Sequence, residues 1–296
     1  MIDLHCHSTC SDGMLSPGEL VKCAVEEGVR VLALTDHDTL DGVTEFQRVA
    51  AVLGLRAIPG VEVSAEFDGR TMHILGYFAE PEASELQGAL SSIRNGREIR
   101  NRFILEKLAA LGKPMDWEEI PGVSAGGVIG RPHIARAMVE RGYVRSMEKA
   151  FEKFLARGCP AYVERFRYEP EEIFRILHAA GGVAVLAHPG LMKLGVKPMT
   201  ALIERLAAAG LDGLEVAYPD HTSAQQRKFN DLARRLDLIP TGGSDYHGMK
   251  NQIRRLGRDR AAPLDIAPET PDLLLARAQR WRLSAGYPAC LSRQVG

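Results

Sequence analysis

The sequence predicts an α/β fold: a closed barrel of parallel strands with a helical insertion riding over one end. Three observations predict it. Short β-rich runs alternate with helical patterns through much of the 296 residues, as βα units do. Several of those runs are nearly all apolar, as strands buried on both faces should be. The candidate ligand residues come from the ends of many different strands, and a closed ring brings such ends together.

In chain order, strands are expected at Ile2–His5, Val29–Leu34, Arg56–Val63, Thr71–Tyr77, Val183–Leu186, Gly213–Ala217 and Leu238–Thr241. Helices at Pro17–Glu27, Val43–Leu53, Glu171–Ala180, Met199–Ala209 and Ser223–Leu236 lie between them. The alternation stops from roughly residue 84 to 165, where the chain has the pattern of helices at Ser84–Leu111, Pro132–Arg141 and Ser146–Ala156. The first carries an apolar stripe of Leu86, Leu90, Ile93, Ile104, Leu108 and Leu111, and the glycine-rich "PGVSAGGVIG" separates it from the second. This organisation predicts a barrel built from residues 1–98 and 166–296, with residues 99–165 as a substrate cap. The Pro-rich "AAPLDIAPETPD" links the barrel to a last helix, Leu273–Trp281.

Composition narrows the function. Hydrophobic residues make up 45% and charged residues 25%, ordinary for a soluble globular chain. Lys and Arg number 37 against 38 Asp and Glu, so no global field attracts long nucleic acid or an anionic membrane. Five cysteines without CxxC spacing argue for reduced thiols rather than a disulfide framework. No apolar run approaches the ~18 residues of a membrane span, and the N-terminus lacks the pattern of a signal peptide. A cytoplasmic location is expected.

The chemistry lies in histidines and carboxylates. The opening "MIDLHCHSTCSDG" puts His5 and His7 on one face of a strand, because side chains alternate. Cys6 between them points the other way and should be a packing residue. Asp12 follows in the next loop. "LALTDHDT" brings Asp36, His37 and Asp38 to the second strand end, and "PGVEVS" brings Glu62 near the third. "RTMHILGYF" contains His73, "VAVLAHPG" ends in His188, and "TGGSDYHG" carries Asp245 and His247. Singly, each has an ordinary structural reading. Together, nine N and O donors at one pole would be a costly concentration of desolvated polar groups without cations to bind. Two or three divalent ions remove that cost, and a mix of imidazole and carboxylate suits Mn, Zn or Fe better than a thiolate zinc site.

The motifs "DLHCHSTCSDG", "LTDHDT", "GVEVS", "LAHPG" and "GSDYHG", in this order, resemble the PHP (polymerase and histidinol phosphatase) family over nearly the whole chain. The resemblance implies a distorted (β/α)7 TIM-like barrel related to the amidohydrolases, with up to three metals at the mouth. It would place one metal on His5, His7, Glu62 and Asp245. A second would lie on Glu62, His73 and His188, and a third on Asp12, His37 and His247. Manganese is the first expectation, with Zn, Fe or Mg as alternatives. Such ions suit phosphate-ester hydrolysis, since they lower the pKa of a bridging water to give hydroxide, neutralise phosphoryl oxygens and orient in-line attack.

Substrate choice should lie in the insertion. Arg97 falls in the centre of the apolar stripe of the first insertion helix, with Arg100 and Asn101 beside it. A cation there needs an anionic partner: a substrate phosphate, or a nearby acidic side chain, unless it snorkels to water. In "GRPHIA", Pro132 suits a first helical position, so Arg131 and His133 would stand at a helix N-terminus, a ready anion site. His221 of "YPDHTSAQQ" would bind phosphate, protonate the leaving oxygen with Asp245 as the other catalytic candidate, or merely neighbour a helix cap. His178 should be structural, and Tyr218 and Tyr246 either stack on a base or pack in the core. These features resemble a PHP subgroup that hydrolyses the 3′-phosphate of nucleoside 3′,5′-bisphosphates, some members of which also trim short RNA from the 5′ end. The rivals are a histidinol phosphate phosphatase, a polymerase-type exonuclease and a metal-dependent binding protein without turnover. No obligate protein partner is evident.

Overall fold

Seven strands bond to one another in the order of the chain. The computed structural model describes residues 1–121, 128–248, 254–259 and 261–286. Most of the "PGVSAGGVIG" loop therefore lies outside the described residues. The strands are β1 (Ile2–Asp3), β2 (Val31–Leu34), β3 (Arg56–Phe67), β4 (Arg70–Tyr77), β5 (Val183–Leu186), β6 (Gly213–Ala217) and β7 (Ile239–Gly242). Just beyond their ends, β7 returns to β1. The Leu4 amide donates to Gly242, Asp245 to His5, and His7 to Tyr246, at 2.8–3.1 Å. The sheet is thus nearly closed into a barrel.

One expectation fails. The βα pattern implied parallel strands throughout, but β4 pairs antiparallel with both β3 and β5. The cause is local. Only Asp68 and Gly69 separate β3 from β4, and both have positive φ, 48° and 66°, as a two-residue hairpin turn requires. A parallel crossover needs a dozen residues or more. The Asp-Gly pair was a readable hairpin signal. Because β4 runs backwards, its first half lies at the end of the barrel where the other strands finish.

The barrel interior is filled by Leu4, Ala33, Ile58, Leu75, Tyr77, Val185 and Ile239, joined by Leu274 and Ala278 of a C-terminal helix spanning Thr270–Ser284. Outside, α1 (Pro17–Glu26) and α2 (Val43–Leu53) cover β2 with Leu20, Val21, Phe46 and Ala50. Pro17 opens α1, and Ser16 with Glu19 closes a capping box there. A larger cluster seats α6 (Pro170–Ala179), α7 (Val196–Ala208) and α8 (Ser223–Arg235) on the remaining strands. Among the described residues, no helix is long and apolar enough to cross a membrane.

The helix α3 (Ser84–Ala110) belongs to two cores. Leu86, Leu90 and Ile93 pack on the barrel. Ile104, Leu105 and Leu108 join a separate cluster with Ile134 and Met138 of α4 (Arg131–Glu140), Ala150 of α5 (Met147–Ala150), and Leu155. The expected helix over Ser146–Ala156 is instead α5 followed by a π-helical turn, Phe151–Leu155. Between the two cores, α3 presents Arg97, Arg100 and Asn101, all buried.

Gly243 allows the ring to close. A Cβ there would stand 2.2 Å from the His5 Cβ and 2.5 Å from its amide nitrogen. In contrast, nothing lies within 4 Å of a Cβ built on Gly88 in α3. The same methyl group should therefore act in opposite directions. Gly243→Ala should destabilise by about 3 kcal/mol or more, at the severe end of overpacking, whereas Gly88→Ala should stabilise by roughly 0.5–1 kcal/mol. Urea unfolding of the two variants checks this, and equal effects would contradict it.

Candidate active site

All nine expected ligand residues gather at the end of the barrel where six strands finish. His5 and His7 follow β1 on one face, and Cys6 turns away, its thiol donating to the Ala33 carbonyl at 3.0 Å. His37 follows β2. Glu62 lies halfway along β3, which continues past the barrel rim. His73 sits in the first half of β4, and the reversed direction of that strand brings it to the same mouth as the others. His188, Asp245 and His247 come from the turns after β5 and β7.

Glu62 is the centre. It is 1% exposed, and five imidazole nitrogens surround it. Its Oε2 lies 3.0 Å from His37 Nδ1, 3.3 Å from His7 Nε2 and 3.4 Å from His5 Nε2. Its Oε1 lies 2.8 Å from His73 Nδ1 and 3.0 Å from His188 Nε2. Asp245 Oδ1 faces His7 Nε2 at 3.2 Å and His5 Nε2 at 3.5 Å. On the other side, Asp12 Oδ1 is 3.1 Å from His247 Nε2, and His37 Nε2 is 3.9 Å from Asp12 Oδ2. Burial opposes ionisation of Glu62, yet His37, His73 and His5 hold its carboxyl well below the ordinary range. Burial likewise disfavours a charged His7, but the carboxylates of Asp245 and Glu62 beside it raise its pKa to about 10. For His73 burial prevails and lowers the pKa to about 4.

These residues fit divalent cations. The buried atoms His5 Nε2, His7 Nε2, His37 Nδ1 and Glu62 Oε2 have no hydrogen-bond partner among the described residues, although buried polar atoms are normally paired. Four sets of donors lie within 4.8 Å of one another: His7, Asp12, His37 and His247; His5, His7 and Asp245; His5, Glu62 and His188; His37, Glu62 and His73. The surrounding backbone is held in unusual conformations, with Asp38, His188 and Asp245 at φ of 55°, 26° and 53°. Such strain is typical of functional sites. Asp36 accepts from the Ser8 amide at 2.8 Å, the Ser8 hydroxyl at 2.6 Å and the Ser11 hydroxyl at 2.5 Å, fixing the loop that carries Asp12.

A cavity of about 230 Å³ opens beside Asp12, His37 and His73. Five arginines line it: Arg97, Arg100, Arg131, Arg165 and Arg167. Arg97 donates to Asp38 Oδ2 at 2.5 Å and to the Ser64 hydroxyl at 2.6 Å, so it has the acidic partner considered from its position on the stripe. Burial opposes ionisation of Asp38, but Arg97 and Arg165 pull its pKa down to about 2. Arg167 pairs with Glu164 at 2.8 Å and Glu66 at 3.2 Å. Arg131 donates to the Leu155 carbonyl and lies over the rings of Phe151 and Tyr162. Arg100 Nε and Arg165 Nη1 have no hydrogen-bond partner among the described residues. Burial, then the guanidiniums of Arg97, Arg131 and Arg167, push the Arg100 pKa well down. A guanidinium does not give up its proton in proteins, so that pressure stands as positive potential in the cavity.

Other expected substrate residues have different partners. Asn101 donates to the Ile129 carbonyl at 2.9 Å and is fully buried. The Nδ1 of His133 accepts from the Gly130 amide at 3.0 Å, closing the first turn of α4. His221 uses both ring nitrogens on the backbone: Nδ1 donates to Val216 at 2.9 Å, and Nε2 accepts from the Gly190 amide at 3.1 Å. The ring proton is thus engaged on a carbonyl, an arrangement that favours the cap-neighbour alternative over proton delivery. Tyr218 is fully buried and donates to Asp245 Oδ2 at 2.9 Å, so it stacks on no base. Tyr246 packs with Cys23 and Leu20 beneath the mouth. His178 stacks on Trp281 with centroids 3.7 Å apart and bonds Asp212.

Sequence reasoning missed Arg165, Arg167 and Arg254. In "VERFRYE" the two arginines alternate with an exposed Phe166, a strand-like period that places both on one face. Arg254 donates to Asp245 Oδ2 at 3.0 Å and to the Tyr218 hydroxyl at 3.0 Å. No local pattern marked it.

Residues 3–166 match the sequence profile of the PHP domain. A 5′-3′ exoribonuclease of Haemophilus influenzae is 38% identical over 245 residues, covering 83% of this chain and 89% of that one. A 3′,5′-nucleoside bisphosphate phosphatase of Chromobacterium violaceum is 37% identical over 268 residues, covering 88% and 92%. The solved structure of an amidohydrolase from Chromobacterium violaceum, with bound sulfate and no metal, superposes with a TM-score of 0.84 at 36% identity, covering 93% and 96%.

The backbone role of His221 has a measurable signature. His221→Ala should cost about 1–3 kcal/mol by leaving the Gly190 amide and the Val216 carbonyl unpaired. The pH–rate profile should keep both limbs. Loss of one limb would restore a proton-transfer role.

Proposed function

The chain belongs to the PHP domain family, and from that premise we propose that it hydrolyses the 3′-phosphate of nucleoside 3′,5′-bisphosphates. The observation that carries the substrate reading is the adjacency of two sites of opposite character. A cluster of carboxylates and imidazoles suited to cations opens directly onto a cavity lined by five arginines. A substrate with two phosphates spans both.

In this reading His5, His7, Glu62 and Asp245 would hold one divalent ion. Glu62 with His73 and His188 would hold a second. Asp12, His37 and His247, with His7, would hold a third. When bound, these cations, manganese in our reading, supply Lewis acidity toward a phosphoryl group and toward water. The chain's own residues fix everything else. Tyr218 and Arg254 engage Asp245 Oδ2, so Oδ1 stays turned to the cluster. Arg97, locked to Asp38, holds the middle of α3 against the cavity. Arg100, Arg131 and Arg165 offer donors to the second phosphate, and guanidinium forks match phosphate geometry. Histidinol phosphate carries an amine, which this positive cavity would repel.

The likeness to an exoribonuclease supports a second activity of the same geometry. With a 5′-phosphate among the arginines, the next phosphate along falls at the cluster whether it is a monoester or a diester. Short 5′-phosphorylated RNA then enters by its first nucleotides alone, and the balanced net charge of −1 offers little attraction to a long polymer. The free cysteines at positions 6, 10, 23 and 159 accord with a reducing, cytoplasmic setting.

Manganese-loaded protein should hydrolyse adenosine 3′,5′-bisphosphate with kcat/KM at least about 100-fold above that for adenosine 3′-monophosphate. That ratio corresponds to roughly 3 kcal/mol of added binding. Chelation should abolish turnover and added manganese restore it, and Asp245→Asn and His188→Ala should be inactive. A preference for histidinol phosphate, or equal rates on mono- and bisphosphates, would overturn the reading. Arg131→Ala should raise KM for the bisphosphate about 10–100-fold, as expected for losing charge-assisted hydrogen bonds, and change the monophosphate by less than about twofold. Equal losses on both would remove the second-phosphate assignment.

A further inference from the structure

We propose that Glu215 is a positioning residue, which fixes His5 in the tautomer that turns a bare Nε2 toward the cluster and anchors the turn carrying His188. The inference rests on the metal-ligand reading above. Glu215 lies on β6 within "GLEVA", a stretch with no motif, and is 0% exposed. A carboxylate so deeply buried needs partners that satisfy it. It has two, and each belongs to a different candidate ligand.

Glu215 Oε1 stands 3.0 Å from His5 Nδ1. A carboxylate only accepts, so Nδ1 bears the proton and Nε2 is left with its lone pair. That Nε2 is one of the buried atoms without a hydrogen-bond partner, and it faces Glu62 and Asp245 at 3.4 and 3.5 Å. Carboxylate-held imidazoles of this kind are oriented ligands with raised basicity. Glu215 Oε2 accepts from the His188 backbone amide at 2.6 Å. His188 has φ 26° and ψ 57°, a conformation that side-chain-bearing residues rarely adopt. One carboxylate therefore governs the ring of one ligand and the backbone of another. His221 braces the same turn from the far side through Gly190.

Glu215→Gln separates this role from packing. The His188 amide can only donate, so the amide oxygen of Gln stays on it. The amide nitrogen then faces His5 Nδ1, which must accept. The ring proton moves to Nε2 and points into the cluster. Shape is preserved while the ligand is inverted.

The test measures Mn²⁺ affinity by calorimetry for the wild type, Glu215→Gln, His5→Ala and the double variant, with thermal melting of each metal-free chain. Glu215→Gln should weaken metal binding about 10–100-fold, with a metal-free melting temperature close to wild type. In the His5→Ala background the same change should alter affinity by less than about twofold. Equal weakening in both backgrounds, or unchanged affinity, overturns the proposal. Nitrogen-15 spectra of the Zn²⁺-loaded wild type decide it independently should the variant not fold. The proton of His5 must reside on Nδ1, and a proton on Nε2 overturns the assignment. A wild-type chain that takes up neither ion overturns the metal reading itself, and this inference with it.

Discussion

The mouth of the barrel is organised around one buried carboxylate. Glu62, almost without exposure, has five imidazoles within 3.4 Å. Those histidines arrive from four places in the fold, His5 and His7 together after β1, and several of the placements need a device of their own. The β3–β4 hairpin reverses a strand so that His73 returns to the mouth. The bare backbone of Gly243 lets the ring close against His5. Left-handed turns at His188 and Asp245 bend two loops inward. A cluster of this kind is desolvated and unstable by itself, so the apolar barrel and its helices must carry it. The same burial makes the orphaned lone pairs an informative signal, since an interior tolerates few of them.

The second hydrophobic cluster is attached to that centre by another buried charge. Helix α3 runs without interruption from the barrel core into that cluster. At the crossing, Arg97 binds Asp38, the neighbour in sequence of His37, and Ser64, two residues beyond Glu62. The insertion is therefore registered against the metal-suited residues themselves rather than against the barrel surface. Arg165 leans on the same Asp38 at 3.9 Å. One carboxylate thus anchors two guanidiniums and leaves the remaining arginines of the cavity undercompensated, which makes the cavity a place for an anion.

How much of this was legible in the sequence follows from the range of the interactions involved. The gathering of histidines and carboxylates at one mouth was legible because most of them stand beside a strand end, and strand ends announce themselves through apolar runs and the turns that follow. The run of helices between β4 and β5 was legible because the strand alternation stops there. The reversal of β4 was also written locally, in Asp68 and Gly69, but a uniform βα pattern obscured it. Glu215, Arg165, Arg167 and Arg254 were not visible as functional residues. The partners that place them at the site, His5 for Glu215, Asp38 for Arg165, Glu66 for Arg167 and Asp245 for Arg254, lie 9 to 210 residues away, and a buried charge is recognisable only once its neighbours are known. The alternatives left open for His221 and Tyr218 could not be narrowed for the same reason. Both occupy the right pole of the barrel, but their polar atoms are already committed to the backbone or to Asp245.

The two halves of the site should contribute to different kinetic quantities in the proposed reaction. The second phosphate does not change during hydrolysis, so the arginines grip it equally in the bound substrate and in the transition state. Uniform binding of that kind lowers KM and selects the substrate without accelerating the chemical step. Charge redistributes only at the phosphoryl group held at the cluster, and only groups fixed there stabilise the transition state more than the substrate. The rigid link from Arg97 to Asp38 then has a kinetic meaning beyond stability. It sets the distance between the phosphate that is held and the phosphate that is cut, so that uniform binding selects substrates whose two phosphates match that distance.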